Sequence, residues 1–308
     1  MKEYLFGLWL HGERGVFQEL ALLYRHAGRA HIVGFTGSPG VGKSTLVDRV
    51  VTKFRQNDKT VGVLAIDPSS PFTGGAILGD RIRMQKHFMD EGVFIRSLAT
   101  RGTFGGLTRS TADAIVVLDA MGKDVIIVET VGVGQDEVDI VHNAHTTVLV
   151  TVPGLGDDIQ AIKAGLMEIG DIFVVNKADR EGAAKTVREI RFMLEMSSEK
   201  YRNSAWMPPV IDTVALEDRG IDELYQTILD HRQHLVAHDN SKLATLEERR
   251  IRNQLLDLLR ENLMETALER LGGEASLDRV VSEIVARRKD PYGASAELVD
   301  KLLGGPPS

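Results

Sequence analysis

Short apolar runs with almost no polar interruption recur through most of the chain. They fall at 31–36 (HIVGFT), 60–66 (TVGVLAI), 93–98, 124–128 (DVIIV), 146–152, 171–175 (DIFVV) and, more briefly, at Val210 and Ile211. A strand with one wet face alternates apolar and polar residues, so unbroken runs predict strands covered on both faces. Between the runs the period lengthens to that of amphipathic helices, from 43 onward, at 108–121, up to 168, at 182–196 and at 221–231. Strand followed by helix, repeated, predicts an α/β fold with a mostly parallel sheet and helices on both faces. Ahead of the first strand, Leu5, Leu8, Trp9, Phe17, Leu20 and Leu23 suggest a helical arm over 1–30, packed on that domain. After about 235 no strand pattern remains. A long charged helix is expected at 242–271, with shorter ones at 277–288 and 294–303. The expected organisation is an arm (1–30), an α/β domain (31–235) and a helical module (236–308).

The loops after the strands carry the chemistry, as expected for such sheets, which bind ligands beyond the carboxyl ends of their strands. The first is Gly37, Ser38, Pro39, Gly40, Val41, Gly42, Lys43, Ser44 and Thr45. A glycine, four residues, then Gly-Lys-Ser between a strand and a helix is a phosphate-binding P-loop. Its backbone N–H groups cradle the phosphates, Lys43 meets the β- and γ-phosphates, and the Ser44 hydroxyl ligates Mg²⁺. The run NKAD ends a later strand. There, Asp179 can accept from both the N1–H and the exocyclic amine of guanine, a donor pair that adenine lacks. Asn176 would brace the loops and the Lys177 stem would cover the base. In ETVGVGQ, Glu129 ends a strand as a metal-side carboxylate, Gly132 is placed to sense the γ-phosphate, and Gln135 is a candidate to orient the attacking water. Asp67 and Asp80 border a long Gly/Pro/Ser-rich loop and suit Mg²⁺ or its waters. In PGLGDDIQAIK, Gly154 permits rearrangement, and Asp157 and Lys163 could exchange ion pairs between states.

The formal net charge of −7 argues against a general nucleic-acid role. The chain has no cysteine, which excludes disulfides and thiolate metal sites. It also lacks an apolar run long enough for a membrane span. The sequence MKEYLFGLWLHGERG makes a poor secretory signal, so a cytoplasmic protein is expected. His231, His234 and His238 share one helix face, which reads as a solvated helix end rather than a metal site. Arg249 to Arg260, with Glu247, Glu248 and Glu261 near it, reads as a mixed-charge solvated face.

The runs GSPGVGKSTL, AIDPSSPFTGGAILGDRIRM, ETVGVGQDEVD and PGLGDDIQAIKAGLMEIGDIFVVNKAD, in this order, resemble the MeaB/ArgK group of P-loop GTPases of the SIMIBI class. The resemblance covers roughly 29–235 and extends loosely into the tail through DPYGASAELV. It implies a GTP-hydrolysing chaperone of adenosylcobalamin-dependent acyl-CoA mutases. Such a chaperone gates cofactor delivery, protects the mutase and turns over slowly until the mutase stimulates it. It also implies a homodimer built through the C-terminal helices, with adenosylcobalamin present only by way of the partner. By resemblance, Ser44, Asp67, Asp80 and Glu129 surround Mg²⁺, and 68–83, 131–139 and 153–163 are switches. The guanine loop is Val214, Ala215 and Leu216. The group usually has Ser-Ala where this chain has Val214-Ala215, so a backbone contact from Ala215 can survive but a side-chain bond cannot. A metal-delivering GTPase and a GTPase that only binds a signalling partner are the alternative readings.

Overall fold

The computed structural model describes residues 16–68, 84–100, 106–130, 143–154, 170–196, 206–237 and 240–304. The chain forms two compact units, Met1–Ile251 and Arg252–Ser308. In the first, helix α1 (Val16–Tyr24) leads to β1 (His31–Thr36), α2 (Lys43–Gln56), β2 (Val61–Pro68), a 3-10 turn (Gln85–His87) and β3 (Val93–Thr100). Next come α3 (Gly106–Ala120), β4 (Val125–Thr130), β5 (Thr146–Thr151), β6 (Ile172–Val175), α4 (Ala183–Met196), β7 (Val210–Asp212), a 3-10 turn (Ala215–Glu217) and α5 (Ile221–Ala237). The seven strands pair in parallel in the order β3-β2-β4-β1-β5-β6-β7, so β1 lies in the middle, between β4 and β5.

The unbroken apolar runs now have their explanation. Successive side chains of a strand point to opposite faces. In β1, Val33 and Phe35 enter a core with Leu46, Val47, Val50, Val51 and Phe54 of α2 and with Leu224 and Ile228 of α5. Ile32 of the same strand enters a second core with Ile115 and Leu118 of α3. Leu20 and Leu23 of α1 pack on that second core, while Leu22 is exposed. A third cluster seats Ile190 and Leu194 of α4 on β6 and β7. The fold class expected from the pattern is the one found, and most strand and helix limits differ by only a few residues. Helix α5 runs further, to Ala237. The two 3-10 turns were not foreseen, because a single short turn leaves no period to read.

Helix α6 (Asn240–Leu271) begins in the first unit and continues into the second, which also holds α7 (Glu274–Val285) and α8 (Pro291–Leu302). Asp290 caps α8 by accepting from the N–H groups of Tyr292 and Gly293, and Pro291 follows it at the first helical position. Among the described residues of the second unit only Ala294 is buried.

Candidate nucleotide site

The loop between β1 and α2 follows from two steric facts. Gly37 has φ +139°, and a Cβ there would sit 2.0 Å from the carbonyl oxygen of Val150 in β5. Gly42 has φ +96°, and its Cβ would lie 2.5 Å from Nδ2 of Asn176. The glycines therefore do more than relax the backbone: they let the loop press against β5 and against the strand-end asparagine. Gly42 also precedes the first turn of α2 and brings no side-chain cap of its own, so the helix N-terminus is of the kind that receives an anion.

Lys43 is buried and folds back on the loop. Its Nζ donates to the carbonyls of Gly37 at 2.5 Å and Ser38 at 3.0 Å. Ser44, also buried, donates its hydroxyl to Oε1 of Glu129 at 2.6 Å, and Glu129 lies near the end of β4, in register with Phe35. A hydroxyl and a carboxylate in contact at the head of the helix form a hard-oxygen donor set, which suits Mg²⁺ and does not suit a soft metal. Asp67 lies at the carboxyl end of β2, in register with Ala99. Pro39 and Gly40 are exposed, Val41 is buried and Thr45 is half-buried.

Asn176 is the centre of the base side. It is buried, and its backbone N–H donates to Thr151 O at 2.8 Å. Its Nδ2 donates to Val41 O of the P-loop at 2.8 Å. Its Oδ1 accepts from the Thr213 hydroxyl at 3.1 Å and the Ala215 N–H at 3.2 Å. One amide thus ties the phosphate loop to the loop holding Val214, Ala215 and Leu216. Lys177 adopts φ +56° and its Nζ donates to Gly40 O at 2.7 Å, a second tie across the same gap. Asp179 is exposed, as is Leu216 at 79%, whereas Val214 and Ala215 are buried. The structure therefore brings together Gly37 to Thr45, Glu129, Asn176, Lys177 and the 214–216 loop. Gly154 follows β5 with φ +88° and is exposed. Asp80, Gly132, Gln135, Asp157 and Lys163 lie outside the described residues.

Two participants had no sequence signal. Thr213 holds Asn176, and the Val150 carbonyl enforces Gly37; each acts through a tertiary contact that no local pattern announces. Two sequence readings are corrected. His231 is not solvated: it is buried, with Nδ1 2.9 Å from the Thr146 hydroxyl, and His234 packs on Trp206 at 5.4 Å between ring centroids. His238 lies outside the described residues. Arg250 also turns inward and donates to Glu247 at 2.8 Å.

Residues 13–273 match the family described as methylmalonyl-CoA mutase-associated GTPase MeaB. A Pyrococcus horikoshii protein named as a GTPase is 51% identical over 285 residues, covering 92% of this chain and 87% of its own. The Escherichia coli GTPase ArgK is 36% identical over 264 residues, covering 85% of this chain and 78% of its own. Among solved structures, that of an LAO/AO transport system kinase superposes with a TM-score of 0.64 at 27% identity, covering 94% of this chain and 86% of that one.

Proposed function

The chain belongs to the MeaB family of methylmalonyl-CoA mutase-associated GTPases, and from that premise we propose that it hydrolyses GTP as the switch of a chaperone for an adenosylcobalamin-dependent acyl-CoA mutase. The observation that carries the nucleotide part is the Asn176 bridge between the P-loop and the 214–216 loop. On this reading the exposed Asp179, three residues on, accepts from both guanine donors through its carboxylate. The Lys177 stem and Leu216 then flank the base. On binding, Lys43 exchanges the carbonyls of Gly37 and Ser38 for β- and γ-phosphate oxygens, and the N-terminus of α2 receives the phosphate charge. Ser44 and Glu129, with Asp67 and Asp80, would hold Mg²⁺, which when bound neutralises charge developing on the phosphates. Gln135 is assigned to orienting the attacking water, and Gly132 to sensing the γ-phosphate.

The mutase part rests on the family match. Adding purified methylmalonyl-CoA mutase is expected to raise the GTP turnover of the full chain severalfold, and ATP turnover not at all. No stimulation by any acyl-CoA mutase tested, with intrinsic GTP turnover intact, would remove the partner and leave the GTPase. The delivery of adenosylcobalamin, and the coupling of Gly154, Asp157 and Lys163 to the mutase, belong to the same proposal.

We also propose that the second unit is a dimerisation module. Leu255, Leu256, Leu259, Leu263 and Met264 of α6 are 43–63% exposed, a degree of exposure that a second copy would relieve. Light scattering of the full chain is expected to give a dimer, and a chain ending at Ile251 a monomer that still binds GTP. A full-length monomer would refute this.

A further inference from the structure

At the amino ends of the strands, opposite the nucleotide loops, four histidines gather around one hydroxyl. Thr146, the first residue of β5, is fully buried. Its Oγ1 lies 2.7 Å from Nε2 of His31 at the start of β1, and 2.9 Å from Nδ1 of His231 on α5. The other nitrogen of His231 lies 3.7 Å from Oδ1 of Asp171, just ahead of β6, whose Oδ2 accepts the Thr147 N–H at 2.8 Å. Trp206 donates its indole N–H to the Asp171 carbonyl and packs on His231 at 4.7 Å and on His234. On the other side the His145 ring stacks on His31 at 6.2 Å. It accepts the Ile32 N–H at Nδ1, and its Nε2 meets Glu247 of α6 at 2.6 Å. Glu247 is also bound by Arg250, and Arg232 of α5 reaches the Arg29 carbonyl beside the cluster.

A hydroxyl has one hydrogen, so Thr146 can donate to only one of its two imidazoles and must accept from the other. Two arrangements satisfy this. In the first, His231 carries its hydrogen on Nε2, facing the ionised Asp171, and accepts the Thr146 hydroxyl at Nδ1. The Thr146 oxygen accepts from His31 Nε2–H, and His31 Nδ1 is bare. In the second, one proton has entered from solvent and is held between Asp171 and His231. His231 Nδ1–H then donates to the Thr146 oxygen, the hydroxyl donates to His31 Nε2, and the His31 hydrogen sits on Nδ1.

We propose that this cluster is a proton-driven tautomer switch: one solvent proton adds at His31 Nδ1, the His31 Nε2 hydrogen passes to the Thr146 oxygen as the Thr146 hydroxyl hydrogen passes to His231 Nδ1, and the added charge is held between His231 and Asp171. The protonation states of the neighbours fit it. Burial pushes the Asp171 carboxyl up to about 7 despite the Thr147 N–H, although its side chain is 36% exposed. Burial first, with the neighbouring His145, Arg232 and His231 acting in the same direction, holds His31 well below the usual histidine range. His31 therefore changes tautomer and not charge. Glu247 stays ionised: burial works to raise it, but the bonds from His145 and Arg250 hold it at about 2. His31 Nδ1 is buried and finds no partner among the described residues. An N–H there is thus a poorer fit than a bare nitrogen, and the protonated arrangement loosens the start of β1, the strand that ends in the P-loop.

The test is ¹⁵N NMR of the histidine rings in the full chain from about pH 5.5 to about 8.5. His31 is expected to carry its hydrogen on Nε2 at the upper end and on Nδ1 at the lower, with a midpoint that the Trp206 fluorescence of a Trp9→Phe chain follows. Asp171→Asn keeps an acceptor for Thr147 and should hold His31 in one tautomer and flatten the fluorescence. Thr146→Val should uncouple the two, leaving the Trp206 step and abolishing the His31 change. A single His31 tautomer throughout in the wild-type chain, or a tautomer change that persists in Asp171→Asn, would overturn the proposal.

Discussion

Lys43→Ala is expected to lower GTP turnover by about two to three orders of magnitude while leaving a folded protein. The side chain is buried, and its ammonium donates to the Gly37 and Ser38 carbonyls of the phosphate loop. Removing it deletes a charge where negative charge gathers during phosphoryl transfer. The fold should survive, since alanine favours the first turn of α2 and the sheet core beneath it, Val33, Phe35, Leu46 and Val47, is untouched. The check pairs steady-state turnover with thermal unfolding. A large loss of turnover with a nearly unchanged unfolding midpoint supports the role. Unchanged turnover would mean that the assayed hydrolysis comes from elsewhere.

What the sequence made legible, and what it hid, follows from the range of the interactions. The sheet was legible because two-sided burial writes itself locally: Ile32 and Val33 both had to be apolar, since one enters each core. The P-loop was legible because a backbone that must approach phosphate constrains residue types within eight consecutive positions, Gly37 to Ser44. Asn176 was legible as a brace through its neighbours Lys177 and Asp179, but its partners Val41, Thr213 and Ala215 were not, being supplied by other strand ends. The cluster at the opposite edge was missed altogether. His31 and Thr146 are 115 residues apart, Thr146 and His231 are 85 apart, and His145 and Glu247 are 102 apart. Only the sheet order places them together. His231 and Arg250 were misread for a related reason: a polar residue on an amphipathic helix looks solvated until a buried partner in another element is known.

Gly37→Ala is expected to cost about 3 kcal/mol or more of stability and to abolish measurable GTP binding, whereas Gly40→Ala should cost only about 1–2 kcal/mol. Both glycines have positive φ, +139° and +79°, so backbone strain alone does not separate them. Their surroundings do. A Cβ on Gly40 meets nothing within 4 Å. One on Gly37 meets the Val150 oxygen at 2.0 Å, its carbonyl carbon at 3.0 Å and its nitrogen at 3.3 Å. That obstacle is backbone, and it cannot swing away as a side chain could. It belongs to β5, which is paired to β1 on one side and to β6 on the other, with Val150 opposite Val174. Relief requires either pulling β5 out of an interior position or lifting the P-loop off the sheet. The second is the smaller disturbance, and it moves the Gly37 carbonyl away from Lys43 and the Val41 carbonyl away from Asn176. Phosphate and base sites then lose their common frame together, so binding should fall further than stability does. Urea unfolding of the two variants, with nucleotide titrations on each, reads both effects. Equal losses for Gly37→Ala and Gly40→Ala would show that the close approach to β5 is not what fixes the loop.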